Sequence, residues 1–553
     1  MGQIAYRANL SSATYPMTIA DGGRTVIMPG PDQNFDRRVD PQGEQKDAGI
    51  PQALYLENVM PTVNGYQSVG YLTPTSTPMT VPGGATHIVN MIEVKATISF
   101  VGPSLYPFSL VKAPIFIWND NSFTAGVFGD NTVTFSGAAP VSVERISTAV
   151  IKDTCYLYIY SASGTALYTI TSTIGGNITL TNVTATVTPL NFLSTNAIHS
   201  ICASNNYLIA QNITTTFWSS TTTPLDFVSS LVSGAGQIDP SNSDDSLLYI
   251  RESSNGFYLY AANICIHAQY TGNARYPWKF VPVKNSTGIY GNGLWCSWGS
   301  VTSSFQYVIE KNKYLKAIQG TEAIPIAPEV SDFLGKNPAQ ELFTYATNTF
   351  TAEVRVTGTP AIYCFLDRYV CVSVNGTREF GASADKYTHA IVFDTVLNRY
   401  GRLKLDHTFL FVVNLPNETL AFVNKQTNTI KFLSFDVYSN TIPFAGLSWE
   451  SAEGVLVLGK FQYVRSRKIQ LHEIEIEGAQ NSAIIPAPNF SCVLLPSLDG
   501  RTFDAPVTPY QSTFTGGLAS YNCHTTAQNI SLAIKGAFSV NTVQLKFSPR
   551  GDR

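Results

Sequence analysis

The run Tyr156-Leu157-Tyr158-Ile159-Tyr160-Ser161-Ala162-Ser163-Gly164-Thr165-Ala166-Leu167-Tyr168-Thr169-Ile170 decides how the rest of the chain is read. Aromatic and β-branched residues crowd both halves, and Ser161–Gly164 interrupts them with small residues that turn easily. This pattern predicts two strands joined by a tight hairpin. The phrase then returns along the chain. Tyr207 to Ala210 turns into Thr216 to Ser219, and Phe257 to Tyr260 turns at Asn263 into Ile264 to Ala268. Phe305 to Ile309 turns at Lys311-Asn312 into Tyr314 to Ile318, and Tyr369 to Val374 turns at Asn375-Gly376 into Arg378 to Phe380. Leu420 to Val423 turns near Gln426–Asn428 into Ile430 to Phe432, and upstream Ile98 to Val101 leads into Ile115 to Trp118.

The starts at 156, 207, 257, 305, 369 and 420 lie 51, 50, 48, 64 and 51 residues apart. A period of about 50 residues with several short strands per unit is what a propeller blade requires. A blade cannot cover both its faces alone, so blades must stack around an axis and close into a ring. The long interval holds an insert, Gly320 to Thr349, whose Pro328 to Leu334 stretch predicts a short helix. The expected fold is all-β: a β-propeller-like body of about seven units, with six to eight compatible with the spacing, and an additional C-terminal β-domain. A set of β-sandwiches has the same turn density and is the competing fold, which the spacing disfavours. There is no Trp-Asp blade ending, no kelch Gly-Gly periodicity and no sialidase-type Ser-x-Asp-x-Gly-x-Thr-Trp box.

Outside the repeat the texture changes. Residues 1–50 are polar, with Gly22-Gly23, Pro29-Gly30-Pro31 and charges from Asp36 to Asp47, and are expected to form an extended N-terminal arm. Residues 51–84 hold a hairpin or platform segment in which Leu54 to Pro61 and Tyr66 to Leu72 are joined by Asn64-Gly65. The propeller is expected over 85–445 and the C-terminal β-domain over 446–553. In that domain Gly454 to Gly459 reads as a compact apolar strand. Ile469 to Glu477 reads as a strictly alternating one, with Glu473, Glu475 and Glu477 on one face and Ile474 and Ile476 on the other.

Composition limits the function classes. The chain has 553 residues, 44% of them hydrophobic, enough for several cores. Charged residues make up 13%, against roughly 25% in an ordinary soluble domain. A charge-poor surface suits a protein that buries much of itself against partners. The net charge is −3, and the densest basic stretch, Arg465, Arg467 and Lys468, alternates like a solvated strand face. Neither feature grips a phosphate backbone. The eight cysteines, Cys155, Cys202, Cys265, Cys296, Cys364, Cys371, Cys492 and Cys523, have no zinc spacing and sit in apolar runs. They read as reduced core thiols made in a cytoplasm. No signal peptide, myristoylation signal or membrane-length apolar run is visible, so stable membrane insertion is not expected.

The motifs that carry chemistry are weak. His472-Glu473 lacks the second His of H-E-x-x-H, and the isolated His267, His389 and His407 read as core or surface histidines. Asp239, Ser241, Ser243 and Asp245 alternate like the start of a calcium loop, without its central Gly and terminal Glu. The N-x-S/T sequons at Asn9, Asn177, Asn182, Asn212, Asn285, Asn375, Asn417, Asn489 and Asn529 are what chance supplies in a chain rich in Asn, Ser and Thr. Arg550-Gly551-Asp552 is read the same way. No catalytic, cofactor or metal residue is assigned, and the chain is expected to be no enzyme.

Several phrases resemble the nozzle (tail-hub) proteins of short-tailed bacteriophages. They are Glu57-Asn58-Val59-Met60-Pro61-Thr62 with Gly65-Tyr66-Gln67-Ser68-Val69-Gly70; Phe217-Trp218-Ser219-Ser220 with Pro224-Leu225-Asp226-Phe227 and Gly234-Ala235-Gly236; and Tyr270-Thr271-Gly272-Asn273-Ala274-Arg275-Tyr276-Pro277-Trp278. Pro328-Glu329-Val330-Ser331-Asp332-Phe333-Leu334 and Phe393-Asp394-Thr395 with Arg399-Tyr400-Gly401 complete the set, which spans roughly 50–470. The resemblance implies a propeller body with a β-rich platform, and six copies in a ring that continues the portal and adaptor channel. It also implies contacts with other tail proteins, double-stranded DNA in passage only, assembly in host cytoplasm and a final place in the virion tail. The alternative from another class is a carbohydrate-binding or glycan-cleaving β-propeller acting as a receptor-binding tail protein.

Overall fold

A strand covered on both faces carries the longest apolar run and is the easiest to see in a sequence. Each repeat start falls on such a strand: Thr154–Ser161, Tyr207–Gln211, Gly256–Ala261, Phe305–Ile309, Tyr369–Gly376 and Glu418–Asn424. In the computed structural model each is the second strand of an antiparallel sheet. The structure describes residues 4–9, 33–34, 53–74, 79–99, 109–172, 177–240, 245–289, 295–298, 305–312, 314–326, 341–345, 348–351, 356–366, 368–376, 387–414, 418–434, 447–450, 453–462, 468–480, 490–497, 510–511 and 517–549.

Among these residues the sheets are seven blades of a β-propeller. Blade one is Ile88–Ser99, Ser109–Trp118, Phe123–Ala125 and Asn131–Ser136; blade two is Val143–Ile151, Thr154–Ser161, Gly164–Ser172 and Ile178–Asn182. Blade three is Ser200–Ser204, Tyr207–Gln211, Thr216–Trp218 and Gly236–Ile238; blade four is Leu247–Ser253, Gly256–Ala261, Cys265–Tyr270 and Trp278–Pro282. Blade five is Trp295–Trp298, Phe305–Ile309, Leu315–Gln319 and Glu322–Pro325; blade six is Val356–Phe365, Tyr369–Gly376, Tyr387–Asp394 and Arg399–His407. Blade seven takes Phe409–Asn414, Glu418–Asn424 and Thr429–Ser434 from one end of the repeat, and its fourth strand, Gly70–Pro74, from before the first blade. That strand joins the two ends of the propeller.

Three expectations are corrected here. Asn375 and Gly376, expected as a turn, pair with Thr357 and Val356 inside the strand Tyr369–Gly376, and the strand expected over Arg378 to Phe380 lies outside the described residues. In blade one the predicted pair is the first and second strands, not the second and third, because the third strand is a three-residue segment, Phe123–Ala125. Part of the predicted insert, Glu322–Pro325, is the outer strand of blade five, and Glu341–Tyr345 with Asn348–Thr351 adds a separate hairpin. The helix expected over Pro328 to Leu334 lies outside the described residues.

Apolar side chains fill each gap between neighbours. Tyr158 and Leu167 of blade two meet Ile201 and Leu208 of blade three. Ile209 and Trp218 then meet Leu247 and Leu259, and Tyr260 and Cys265 meet Val308 and Ile318. Tyr307 and Leu315 meet Ile362 and Val372; Cys371 and Val392 meet Leu420 and Phe422. Phe411 and Phe432 meet Phe116 and Trp118, whose cluster continues into Leu157 and Ile170. The clusters therefore run around a closed ring. Each buried Leu, Ile or Phe in them contributes about 1.5–3 kcal/mol.

A carboxylate reinforces the closure. Glu93, on the inner strand of blade one, accepts from the Tyr363 hydroxyl of blade six at 2.9 and 2.8 Å through its two oxygens, and from the Val412 N–H of blade seven at 3.1 Å. Three inner strands are thus tied to one side chain on the axis. Between blades one and two the outer strands pair in parallel, Val133 with Ile178 through Ser136 with Thr181, which covers two sheet edges at once.

The C-terminal strands build two further sheets over a shared core of Leu456, Leu494, Leu532, Ile474, Leu545 and Phe547. One sheet runs Gly454–Gln462, Asn529–Gly536, Ser491–Ser497 and Tyr510–Gln511; the other runs Leu518–Ala527, Ile469–Gln480 and Phe538–Pro549. The alternation predicted for Ile469 to Glu477 is not strict. Leu471 pairs Phe547 and Glu473 pairs Lys546, so His472 is a β-bulge that shifts the phase. Ile469 and Leu471 before it, and Ile474 and Ile476 after it, are all fully buried. Without the bulge the first two would share the solvent face with the glutamates.

The predicted strand Leu54 to Pro61 is likewise broken. Asn58 sits at φ 51° and splits it into Ala53–Glu57, which pairs with Gly454–Gln462, and Val59–Thr62, which forms a hairpin with Gly65–Ser68. The Asn58 side chain compensates by accepting from the Tyr71 hydroxyl at 2.8 Å and the Lys404 N–H at 3.0 Å. The hairpin bridges blade six, through Val59 and Arg402, to the C-terminal strand Phe538–Pro549. Ile4–Asn9 adds to that same strand and Gln33–Asn34 to Gly454–Gln462, so these pieces of the expected arm belong to the C-terminal sheets. Among the described residues no helix is long and apolar enough to cross a membrane.

Two predictions follow from buried polar groups. Replacing Glu93 by Leu leaves the Tyr363 hydroxyl and Val412 N–H without their acceptor and should cost about 2–4 kcal/mol, with Glu93→Gln much milder, as read by chemical denaturation. His267 stacks on Tyr258 at 4.4 Å, and His407 donates from Nδ1 to the Leu405 carbonyl at 2.9 Å while Nε2 faces the Ser373 hydroxyl. Burial pushes both imidazoles down to about 4. The unfolded chain, at about 6.5, binds more protons between these values, so stability is full above pH 6.5 and falls as the pH drops toward 4. Each histidine accounts for on the order of 3 kcal/mol of that loss. A flat stability profile from pH 7 to 4.5 in the wild type would refute it, as would a slope unchanged in His407→Gln.

Candidate functional site

The phrases that resemble nozzle proteins are far apart in sequence, and the fold gathers those among the described residues into two places, Pro328 to Leu334 lying outside them. The first is the junction of the 59–68 hairpin with blade six. Arg399 donates to the backbone carbonyls of Thr62 and Gly65 and lies over the Tyr66 ring at 5.6 Å. A Cβ at Gly65 would stand 2.1 Å from the Val540 carbonyl oxygen, and one at Gly401 would stand 2.4 Å from the Met60 sulfur. Both positions therefore require glycine. Asp394, fully buried, takes a bidentate pair from Arg368, Nε to Oδ1 at 2.9 Å and Nη2 to Oδ2 at 2.6 Å, and also caps the Val396 and Leu397 N–H groups. These residues fasten the N-terminal hairpin to the propeller; their roles are structural.

The second place is the outer rim of blades three and four. The loop between Thr216–Trp218 and Gly236–Ile238 is long, and its base is held by Phe227 stacked on Phe192 at 4.3 Å and by the Phe227 N–H donating to the Thr188 carbonyl at 2.7 Å. Its tip is a closed turn. Ser230 Oγ accepts from the Val232 and Ser233 N–H groups at 3.1 and 3.4 Å, the Gly234 N–H reaches the Ser230 carbonyl, and the Ser230 N–H reaches the Ala235 carbonyl. Trp218 Nε1 donates to the Gly234 carbonyl at 2.8 Å, and Gly234 has φ 72°. Beneath lies an aromatic floor in which Trp278 contacts Phe257 at 4.8 Å and Tyr207 and Tyr270 at 5.4 Å each.

The neighbouring loop, 271–277, is equally ordered: Asn273 Oδ1 accepts from the Arg275 N–H at 2.8 Å and the Thr271 N–H reaches the Pro277 carbonyl. The two loops abut, since a Cβ at Gly234 would lie 3.3 Å from the Ala274 carbonyl oxygen. On this rigid frame the apolar side chains face outward. Val232 is 96% exposed, Leu231 70%, and Tyr276, with Arg275 over its ring at 5.5 Å, 63%. Single exposed apolar residues are ordinary, whereas Leu231 and Val232 are adjacent on one hydrogen-bonded turn. The sequence held the signal in Trp218, Gly234 and Trp278, but not which residues would be turned outward.

The other sequence candidates do not converge. Asp245 caps the Asn263 turn at 3.0 Å, while Ser241 and Ser243 of the calcium-like run lie outside the described residues. His472 Nε2 meets the Ser548 hydroxyl at 2.8 Å, and Glu473, held below the usual carboxylate range by the Ser520 hydroxyl and then Lys546, faces another way. His389 is buried beside Thr388. Among the described residues no group of three or more His, Cys, Asp or Glu could hold a metal ion. Cys155, Cys202, Cys265, Cys371, Cys492 and Cys523 are free and buried and Cys364 is free and half-buried, and burial raises the thiols of Cys202, Cys265, Cys492 and Cys523. Arg465, Arg467 and Arg550-Gly551-Asp552 lie outside the described residues, and Lys468 is exposed.

Gly234→Val would force a β-branched side chain into a left-handed backbone 3.3 Å from a carbonyl. The expected outcome is a loss of about 1–3 kcal/mol with loosening confined to 228–235 and 271–277, measured by amide hydrogen exchange. Unchanged protection of both loops would show that they are not coupled.

No family model and no curated protein matches the sequence. Solved structures that it is similar to include a chain of the S. cerevisiae complex of dbp5 with nup159 and gle1, at 7% identity and TM-score 0.26, covering 73% of this chain and 91% of that one. A Trypanosoma rangeli sialidase in complex with sialic acid aligns at 10% identity and TM-score 0.23, covering 95% and 96%. The WD40 domain of SCAP from fission yeast aligns at 8% identity and TM-score 0.26, covering 84% and 98%.

Proposed function

We propose that this chain is a structural subunit of a short-tailed bacteriophage tail, a nozzle or hub whose copies assemble into a ring that conducts the genome and anchors other tail parts. The observation that carries the reading is the outward-facing apolar turn Leu231-Val232, held rigid beside Tyr276 at the rim of blades three and four. Such a turn is ready to be buried without paying further ordering entropy, as a repeated subunit contact needs. The composition supports it: 13% charged residues and a net charge of −3 give a wall that does not trap a polyanion.

The ring geometry places one constraint on the conduit. Glu93 links inner strands of blades one, six and seven within 3.1 Å, so a duplex cannot thread the propeller axis. DNA would pass between copies. In the same reading the fastened N-terminal hairpin and C-terminal sheets form a stiff platform for the portal side.

Native mass measurement with negative-stain imaging of the full chain tests this. The expected particle is a six-copy ring with a hole of about 20–30 Å, wide for a duplex whose major groove is about 12 Å. Leu231→Asp with Val232→Glu should keep the melting temperature and lose the ring. A monomer at every soluble concentration would sink the assembly reading, and glycan binding by that monomer would replace it with the carbohydrate-binding alternative.

A further inference from the structure

The inner strands of three blades share an irregularity at their N-terminal ends. In blade one the pairing runs Ile88 with Trp118 and then Asn90 with Ile117, which leaves Val89 as a bulge. In blade two it runs Val143 with Ser161 and then Arg145 with Tyr160, which bulges Glu144. In blade four it runs Leu247 with Ala261 and then Tyr249 with Tyr260, which bulges Leu248. Bulges at the rim of a closed sheet re-aim the next side chain. Here those side chains are Asn90, Arg145 and Tyr249, near the N-terminal ends of the inner strands of blades one, two and four, at one mouth of the axis.

Arg145 stands at the centre of this group. Tyr160 is directly opposite it on the adjacent strand, and the His199 ring lies 6.3 Å from the Tyr160 ring, edge-on. His199 immediately precedes the inner strand of blade three, which is bound to blade two by the Ile201 N–H donating to Ser147 Oγ at 2.9 Å and the Tyr158 hydroxyl donating to the Ile198 carbonyl. Among the described residues no carboxylate pairs with Arg145; its neighbour Glu144 is the exposed bulge. The buried Nδ1 of His199 has no hydrogen-bond partner. The half-buried guanidinium is a donor without an acceptor, and the buried imidazole nitrogen, in its Nδ1–H tautomer, is a second.

We propose that this mouth of the propeller axis binds a small carboxylate, with the Arg145 guanidinium forking onto its two oxygens and His199 and Tyr160 completing the shell. The ligand class follows from charge and shape. One planar cation among neutral donors matches a single negative charge presented by two coplanar oxygens. Burial and the nearby Arg145 hold His199 below its usual range, so the imidazole stays neutral and adds no second charge for a phosphate dianion. The site belongs to one chain and is independent of whether copies assemble.

Isothermal titration of the full chain with acetate, glucuronate, glucose, inorganic phosphate and sulfate tests the assignment. Acetate and glucuronate should saturate one site, and glucose should not. Arg145→Met should weaken both carboxylates by about tenfold or more, equivalent to about 1.4 kcal/mol, without moving the melting temperature. Tyr160→Phe, which keeps the ring and removes the hydroxyl, should weaken them by a smaller factor and serves if Arg145→Met fails to fold. Absence of saturable carboxylate binding overturns the proposal, as does binding unchanged in both variants. Tighter binding of phosphate or sulfate than of glucuronate overturns the ligand class.

Discussion

The whole molecule depends on closing a ring of sheets, none of which can cover its own faces. A four-stranded blade leaves two apolar faces open, and burial on both sides comes from the next blade in either direction. The continuous chain of clusters from Leu157 to Phe422 and back to Trp118 satisfies that demand. Closure then requires a strand from one end of the repeat to sit beside strands from the other. Gly70–Pro74 does so in blade seven, and the Glu93 carboxylate ties the inner strands where the two ends meet. The N-terminal segment is therefore structural: it fastens the last blade and reaches into the C-terminal sheets.

That fastening explains why the sequence phrases of 57–70 and 393–401 look as they do. Asn58 takes a left-handed backbone so that one segment can serve two sheets, Gly65 and Gly401 let backbones approach, and Arg399 holds the carbonyls of the turn. The propeller and the C-terminal sheets share a hydrophobic core, in which Val372 and Tyr307 lie with Ile474 and Leu532. Such an arrangement gives a stiff body, and stiffness is what makes exposed Leu231 and Val232 informative. On a floppy loop they would collapse onto the surface; on a turn closed by Ser230 and Trp218 they stay outward.

The two functional proposals occupy different parts of this body. The rim of blades three and four offers apolar side chains on ordered loops, which suits a protein partner. The axial mouth offers one unmatched cation beside a phenol and an imidazole, which suits a small anion. Neither uses the fastened junction at Asp394 and Arg399, whose charges are consumed internally by Arg368 and by backbone carbonyls.

The sequence by itself determined the strand type, the repeat and its period. Those features rest on local patterning: second strands such as Tyr207–Gln211, buried on both faces, are mostly aliphatic and aromatic, with Gln211 the buried polar exception. It also supplied the close-approach glycines and the anchoring tryptophans, though not their partners. What tertiary structure decided was everything that depends on pairing across long separations. The entry of Gly70–Pro74 into blade seven, the break at Asn58 and the bulge at His472 leave little local trace, because each is set by the strand alongside. The outward turn of Val232 and the gathering of Arg145, Tyr160 and His199 are of the same kind. Their residues are unremarkable in order, and geometry alone brings them together.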